Sequence, residues 1–115
     1  MHELSLAMNI VEIASEELGR RGGGGIVAVH LKLGPLAGVM KEALASAFEL
    51  AREGSLADRA TLVIEEAPIV GYCRQCRAQQ TAASLQDLCC GQCGTCLSDI
   101  TSGRELEIVA MEIES

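Results

Sequence analysis

Four cysteines in two pairs, Cys73-x2-Cys76 and Cys90-x2-Cys93, set the strongest limit on how this 115-residue chain folds. Two such pairs, separated by a short polar stretch, read as a four-thiolate zinc site. Each pair makes a tight turn that aims both sulfurs at one ion, and the stretch between them lets the second turn come back against the first. Zinc accepts a tetrahedron of sulfur and has no redox chemistry of its own. A closed four-thiolate site leaves no position for water or substrate, so the cluster builds structure and does not catalyse. The segment that carries it, residues 69–101, is poor in large apolar side chains and cannot bury much surface. Metal must supply its stability, and zinc binding in small modules is worth ~10–16 kcal/mol.

Cys89 and Cys96 are surplus to four ligands. They leave Cys93-x2-Cys96 open as an alternative second pair. Cys90 with Cys93 is preferred because Gly94 follows directly, and glycine tolerates the left-handed turn that lets backbone N–H groups face the sulfurs. Leu97, after Cys96, tolerates that turn less well. On this reading Cys89 and Cys96 are spare thiols with no special role. Thioredoxin-type exchange needs a fold context that the two facing pairs do not suggest.

The length predicts one domain with a small metal-held appendage. A formal net charge of -7 argues against nucleic acid, which is bound by clustered Lys and Arg. Basic protein surfaces or cations suit the chain better. No apolar run is long enough to cross a bilayer, and the N-terminus shows neither a basic leader nor an apolar stretch of the secretory kind. Paired cysteines without such a signal favour a reducing cytosol over a disulfide framework, so the expected location is cytoplasmic.

Outside the cysteine segment the patterning predicts an α+β fold. Glu3 to about Arg20 reads as a helix, with Leu4, Met8, Val11 and Leu18 on a stripe widened by Ala7, Ile10 and Ala14. Ile26–Leu33 alternates as a half-buried strand, with Val27, Val29, Leu31 and Leu33 on one face and Ala28, His30 and Lys32 on the other. Gly34-Pro35 ends it. A second helix is expected from about Met40 to Glu53, and a second strand over Ala60–Glu66. Strand, helix, strand permits a parallel crossover. Arg104–Ile113 reads as a third strand whose apolar phase changes between Ile108 and Val109, which predicts a bulge or a swap of faces. The expected architecture is two helices on a small three-stranded mixed sheet, with an inserted zinc-ribbon-like domain. The expected division is 1–68 with 102–115, and 69–101.

The chain start carries a second signal, Met1-His2-Glu3. A free amine on Met1, the amide nitrogen of His2 and its ring nitrogen all reach one ion through small chelate rings, and the amide of Glu3 supplies a fourth nitrogen. Four nitrogens in a plane suit Ni(II) or Cu(II), not zinc. A histidine at position two is also, more often than not, just a solvated terminal residue, so the pattern alone leaves both readings open.

Other features read as ordinary. His30 sits beside Lys32 on a strand and is expected at the surface. Gly22–Gly25 is a flexible link, since no Gly-Lys-Ser/Thr follows to make a phosphate loop. No serine or cysteine has the histidine partner of a nucleophile, and the carboxylates form no acid–base pair, so an enzyme is not expected.

Taken together, these signals resemble the HypA/HybF family of hydrogenase nickel-incorporation proteins, over essentially the whole chain. Met1-His2-Glu3-Leu4-Ser5 is similar to the family's opening. Leu33-Gly34-Pro35-Leu36-Ala37-Gly38-Val39 looks like its strand-to-helix turn. Ala47-Phe48-Glu49-Leu50-Ala51 with Gly54 resembles its second helix, and Ile64-Glu65-Glu66 its second strand. The paired cysteines and Ser102-Gly103-Arg104-Glu105-Leu106 complete the likeness. Two departures stand out. The family's second pair usually reads Cys-Pro-x-Cys-Gly, and Gly91 takes the proline position here. Cys89 and Cys96 also fall where the family's pattern needs no cysteine.

The resemblance implies a nickel metallochaperone that delivers Ni(II) to the large-subunit precursor of [NiFe]-hydrogenase; some relatives also serve urease and its maturation proteins. It implies a HypB-type GTPase as partner, nickel as cargo at Met1, His2 and Glu3, and structural zinc at Cys73, Cys76, Cys90 and Cys93. Monomer and homodimer are both left open. Two rivals remain at this point: a zinc ribbon that recruits protein or nucleic acid, and an electron carrier with iron in the four thiolates.

Overall fold

The computed structural model describes residues Glu3–Glu114. Helix α1 spans Glu3–Arg20, strand β1 Gly25–Leu33, a 3-10 turn Pro35–Ala37, helix α2 Lys41–Ala51 and strand β2 Thr61–Glu66. Three short strands follow, β3 Val70–Cys73, β4 Ala78–Thr81 and β5 Ser98–Ser102, and then β6 Leu106–Glu114. The strands form two sheets of three, ordered β2-β1-β6 and β4-β3-β5.

The chain divides into two compact units. One holds the segments up to Leu31, Val39–Glu65 and Glu107 onward; the other holds Lys32–Gly38 and Glu66–Leu106. In the first unit α1 packs against α2. Helix α1 buries Ala7, Ile10, Val11, Ala14 and Leu18, and α2 buries Leu44, Ala47 and Phe48. With aromatics at only 2% of the chain, Phe48 is the bulkiest fully buried side chain. Burial of each large aliphatic or aromatic side chain contributes about 1.5–3 kcal/mol, so this row of small and aliphatic residues is what holds the helices together.

Helix α1 does not bury the whole expected stripe. Leu4 is 48% and Met8 57% exposed. The buried arc is centred on Ala7, Ala14 and Leu18, and Leu4 and Met8 fall on one edge of it. The helix ends as its glycines suggest. Gly22 takes a left-handed φ of 93°, Gly23 N–H reaches the Leu18 carbonyl at 3.0 Å, and Gly22 N–H reaches Gly19 at 3.3 Å. That pair of bonds is a Schellman cap, which satisfies carbonyls the last turn would leave bare.

Strand β1 lies in the centre of its sheet, and its register explains a second departure. Ala67 N–H, just past β2, donates to the Leu33 carbonyl at the end of β1 at 2.9 Å, so β1 and β2 end side by side and run parallel. Gly34 N–H donates to the Glu105 carbonyl at 2.8 Å, while Gly24, before the start of β1, lies against Glu114, so β1 and β6 run antiparallel. The sheet is mixed. Val29, Leu31 and Leu33 are buried as expected, but Val27 is 45% exposed, and Ile26 and Ala28 are buried instead. The buried phase of β1 thus shifts between Ala28 and Val29. On β6 it shifts between Val109 and Ala110, both exposed, while Leu106, Ile108, Met111 and Ile113 are half-buried. Each of these neighbouring strands thus changes its buried phase once, near its middle.

In the second unit β3 pairs antiparallel with both β4 and β5. Strands β4 and β5 have no apolar face, and β3 offers only the half-buried Val70 and Tyr72. Gln79, Gln80, Ser98 and Asp99 are strand residues because the cysteine turns fold the chain back on itself and the backbone groups then find partners.

Candidate metal centre

The end of β3 and the turn after it carry the first cysteine pair. Cys76 N–H donates to Cys73 Sγ at 3.4 Å. Arg77 then takes a left-handed φ of 54°, and β4 leads away. The second pair repeats the pattern. Gln92 N–H donates to Cys90 Sγ at 3.4 Å, Gly94 N–H closes the turn on the Cys90 carbonyl at 2.9 Å, and Gly94 has a φ of 82°. Backbone N–H groups facing sulfur stabilise a thiolate and aim it inward.

The four Sγ atoms of Cys73, Cys76, Cys90 and Cys93 lie within 4.8 Å of one another. Cys73 and Cys93 are 3.5 Å apart, Cys76 and Cys93 3.7 Å, and Cys76 and Cys90 3.8 Å. A tetrahedron with ~2.3 Å zinc–sulfur bonds has sulfur–sulfur edges of about 3.8 Å. The donor set and its dimensions therefore fit zinc. Cys73 and Cys90 are buried, Cys76 is half-buried and Cys93 is exposed, so the cluster opens to solvent at Cys93.

Electrostatics set Cys93 apart from Cys76. Thr95, whose Oγ1 lies 3.3 Å from Cys93 Sγ, stabilises the Cys93 thiolate through its hydroxyl and its backbone N–H, and the pKa falls to about 6. Cys76 is pushed up to about 12, first by its hydrogen bond to Cys93. The cluster thus offers one ready thiolate at its open side, while Cys76 beside it resists ionisation until a cation compensates it.

Cys96 is not in the cluster. It faces Cys89 across a short antiparallel bridge, with the two Sγ atoms 3.2 Å apart. Met1 and His2, the other expected ligands, lie outside the described residues. Glu3 is the first residue of α1 and is half-buried. His30 is half-buried, with Nε2 2.6 Å from Glu112 Oε2. Sequence reasoning did not find that contact, since nothing along the chain ties positions 30 and 112. Among the described residues no other group of three or more His, Cys, Asp or Glu side chains could hold an ion, and no helix is long and apolar enough to cross a membrane.

Residues 1–113 match the family described as hydrogenase/urease nickel incorporation, metallochaperone, HypA. Among curated relatives, the hydrogenase maturation factor HypA of Chloroflexus aurantiacus is 46% identical over 112 residues, covering 97% of this chain and 98% of its own. That of Roseiflexus sp. (strain RS-1) is 40% identical over 114 residues, covering 99% and 93%. The solution structure of the nickel metallochaperone HypA from Helicobacter pylori superposes with a TM-score of 0.68 at 26% identity, covering 98% of this chain and 97% of that one. A whole-length match with this α+β architecture and a four-cysteine cluster leaves one conclusion: the chain belongs to the HypA family of hydrogenase and urease nickel-incorporation metallochaperones.

Proposed function

We propose that this chain receives Ni(II) at its N-terminus and passes it on during maturation of the [NiFe]-hydrogenase large subunit, while zinc at Cys73, Cys76, Cys90 and Cys93 holds the second unit together. The observation that carries this reading is the family match over residues 1–113, which takes in Met1-His2-Glu3 and both cysteine pairs. We assign nickel to the part formed by residues 1–68 and 102–115, and zinc to residues 69–101.

The proposed nickel ligands are the Met1 amine, the backbone amides of His2 and Glu3, and the His2 ring. Support comes from the position of Glu3 as the first residue of α1. The first backbone N–H groups of a helix have no helical acceptor, so an amide there is given up without breaking a helical bond. Coordinated amides must lose their protons, so affinity falls with acid. A site at a chain end hands over its ion by stepwise ligand replacement, which a closed cluster resists. The role is that of a carrier and not an enzyme, in the cytoplasm, with a HypB-type GTPase to supply the nucleotide hydrolysis for which this chain has no phosphate loop. Urease maturation proteins are second recipients.

Isothermal titration with Ni(II) tests the reading on three proteins: one with a native Met1, one with an N-terminal extension, and His2→Ala. Tight binding is expected only for the first, with zinc content unchanged in all three. Equal nickel affinity in the native and extended forms refutes the site.

A further inference from the structure

Cys89 and Cys96 take no part in the four-sulfur cluster, and their neighbours fix the kind of pair they make. Leu97 N–H donates to the Leu88 carbonyl at 3.0 Å, and Cys90 N–H donates to the Thr95 carbonyl at 2.7 Å. The residues on either side exchange these bonds, and Cys89 and Cys96 face each other between them. They form a non-hydrogen-bonded antiparallel pair. Such pairs bring Cα atoms to about 4.5 Å, inside the ~4.4–6.8 Å that a disulfide spans. Their Sγ separation of 3.2 Å is the shortest sulfur–sulfur contact described in the chain. It is well under the ~3.8 Å edge of a zinc tetrahedron, so the pair is spaced for a bond and not for a shared ion. Cys96 is exposed and Cys89 half-buried, so a small reagent reaches them.

We propose that Cys89 and Cys96 are a redox-active dithiol, oxidised by a low-molecular-weight disulfide to an intramolecular bond that braces the turn carrying Cys90 and Cys93. The exposed Cys96 loses its proton, and its thiolate attacks one sulfur of the external disulfide. That S–S bond breaks, one thiolate leaves and takes up a proton, and a mixed disulfide remains on Cys96. The Cys89 thiolate then attacks Cys96 Sγ and expels the second thiolate, which takes up the proton Cys89 gave away. Two protein thiols lose two electrons, one external disulfide becomes two thiols, and protons balance.

The bond closes residues 89–96 into a short ring that contains both ligands of the second pair. Gly91 leaves that turn without the stiffness of proline. A covalent link across its base restricts the metal-free chain, so zinc that leaves finds its sulfurs still assembled.

The test uses the zinc-loaded full-length protein and oxidised glutathione, read by non-reducing peptide mapping with zinc content measured on the same sample. The expected products are a Cys89–Cys96 cross-linked peptide and retained zinc. Cys89→Ser and Cys96→Ser should each keep a glutathione adduct on the remaining cysteine. After oxidation, wild-type protein should lose zinc to a chelator several-fold more slowly than before. A glutathione adduct that persists on wild-type Cys96, cross-links that recruit Cys73, Cys76, Cys90 or Cys93, or an unchanged rate of zinc loss would overturn the proposal. Nickel binding at the chain start is not read by this experiment, so its failure and this one's are separate.

Discussion

The backbone of Gly34 crosses that of Gly103 so closely that there is no room for a side chain between them: a Cβ built on Gly34 would overlap the Gly103 carbonyl and stand 2.7 Å from the Arg104 nitrogen. Leu36 N–H accepts this proximity by donating to the Gly103 carbonyl at 2.7 Å. Gly34 has an ordinary φ of -91°, so its need for glycine comes from contact, not from backbone angle. Gly103 has a φ of 126° and would also place a Cβ 3.1 Å from Ile69. Two sequence motifs that look independent, Leu33-Gly34-Pro35 and Ser102-Gly103-Arg104, are therefore two halves of one crossing. Gly34→Ala is expected to cost about 3 kcal/mol, at the upper end of overpacking penalties because the obstacle is backbone. Urea denaturation checks it; a loss under about 1 kcal/mol would mean the crossing relaxes freely.

Left-handed backbone follows both cysteine turns, but only one has glycine there. Gly94 (φ 82°) suits its position, and Arg77 (φ 54°) does not. An L-residue in this conformation costs about 1–2 kcal/mol, partly offset by glycine's unfolded-state entropy of about 0.5–1 kcal/mol. Gly94→Ala should therefore destabilise the zinc form, and Arg77→Gly should stabilise it by about 0.5–1 kcal/mol. Thermal melts of the zinc-loaded variants should move in opposite directions. Movement in the same direction would show that the Arg77 side chain, not its backbone, matters more.

Of these two turns, only the one with Gly94 is legible in the sequence. Cysteine spacing fixes a metal module and Gly94 its turn, because covalent proximity dictates both. The helices and the mixed sheet are legible through the 3.6 and 2 periods, and the phase change on β6 is visible in the run Leu106 to Ile113. Leu4 and Met8 misled because periodicity names an apolar stripe without saying how wide its cover is, and Val27 because the buried phase of β1 shifts between Ala28 and Val29. Strands β4 and β5 left no apolar pattern at all, since Ala78–Thr81 and Ser98–Ser102 are strands by turn geometry alone. The facing of Cys89 and Cys96 depends on register, which spacing does not encode.

Glu105 ties the same crossing to pH. Ser102 Oγ and Gly103 N–H each donate to its carboxylate at 2.7 Å. Those bonds, the Ser102 hydroxyl foremost, hold its pKa below the ordinary 4.5. A depressed carboxylate means that the folded state binds fewer protons than the unfolded one. Its stabilising effect is complete above the unfolded value and disappears as pH falls through the folded one. The Gly103 amide proton shift, followed by NMR, should titrate with a midpoint below 4.5, and Glu105→Gln should abolish the step. A midpoint at or above that value would show that the bonds are not formed in solution.

Removing metal should act on the second unit first. Cys73 is fully buried among sulfurs and β3 ends on it. Cys73→Ala should release zinc and melt the β4-β3-β5 sheet, because Val70 and Tyr72 offer too little apolar surface to hold it without metal. The expected readout is loss of amide protection across Val70–Ser102 with α1 still helical. Full zinc retention in Cys93→Ala would instead bring Cys96 into the ligand set.

At position 91 the resemblance leads one to expect proline, and this chain's own geometry argues against it. Gly91 N–H donates to the Thr81 carbonyl at 3.0 Å, and a Cβ on Gly91 would sit 3.3 Å from that same oxygen. Proline removes the donor and brings carbon to the place it leaves. A lost hydrogen bond costs about 0.5–1.5 kcal/mol, more if the carbonyl is left dry. The stiffer unfolded chain gives back only about 0.4–1 kcal/mol. Gly91→Pro should therefore lower the melting point of the zinc form and speed zinc loss to a chelator. The decisive comparison is with Gly91→Ala, which keeps the N–H. If proline proves as stable as alanine, the Thr81 bond contributes nothing, and the freedom of this turn has another cause.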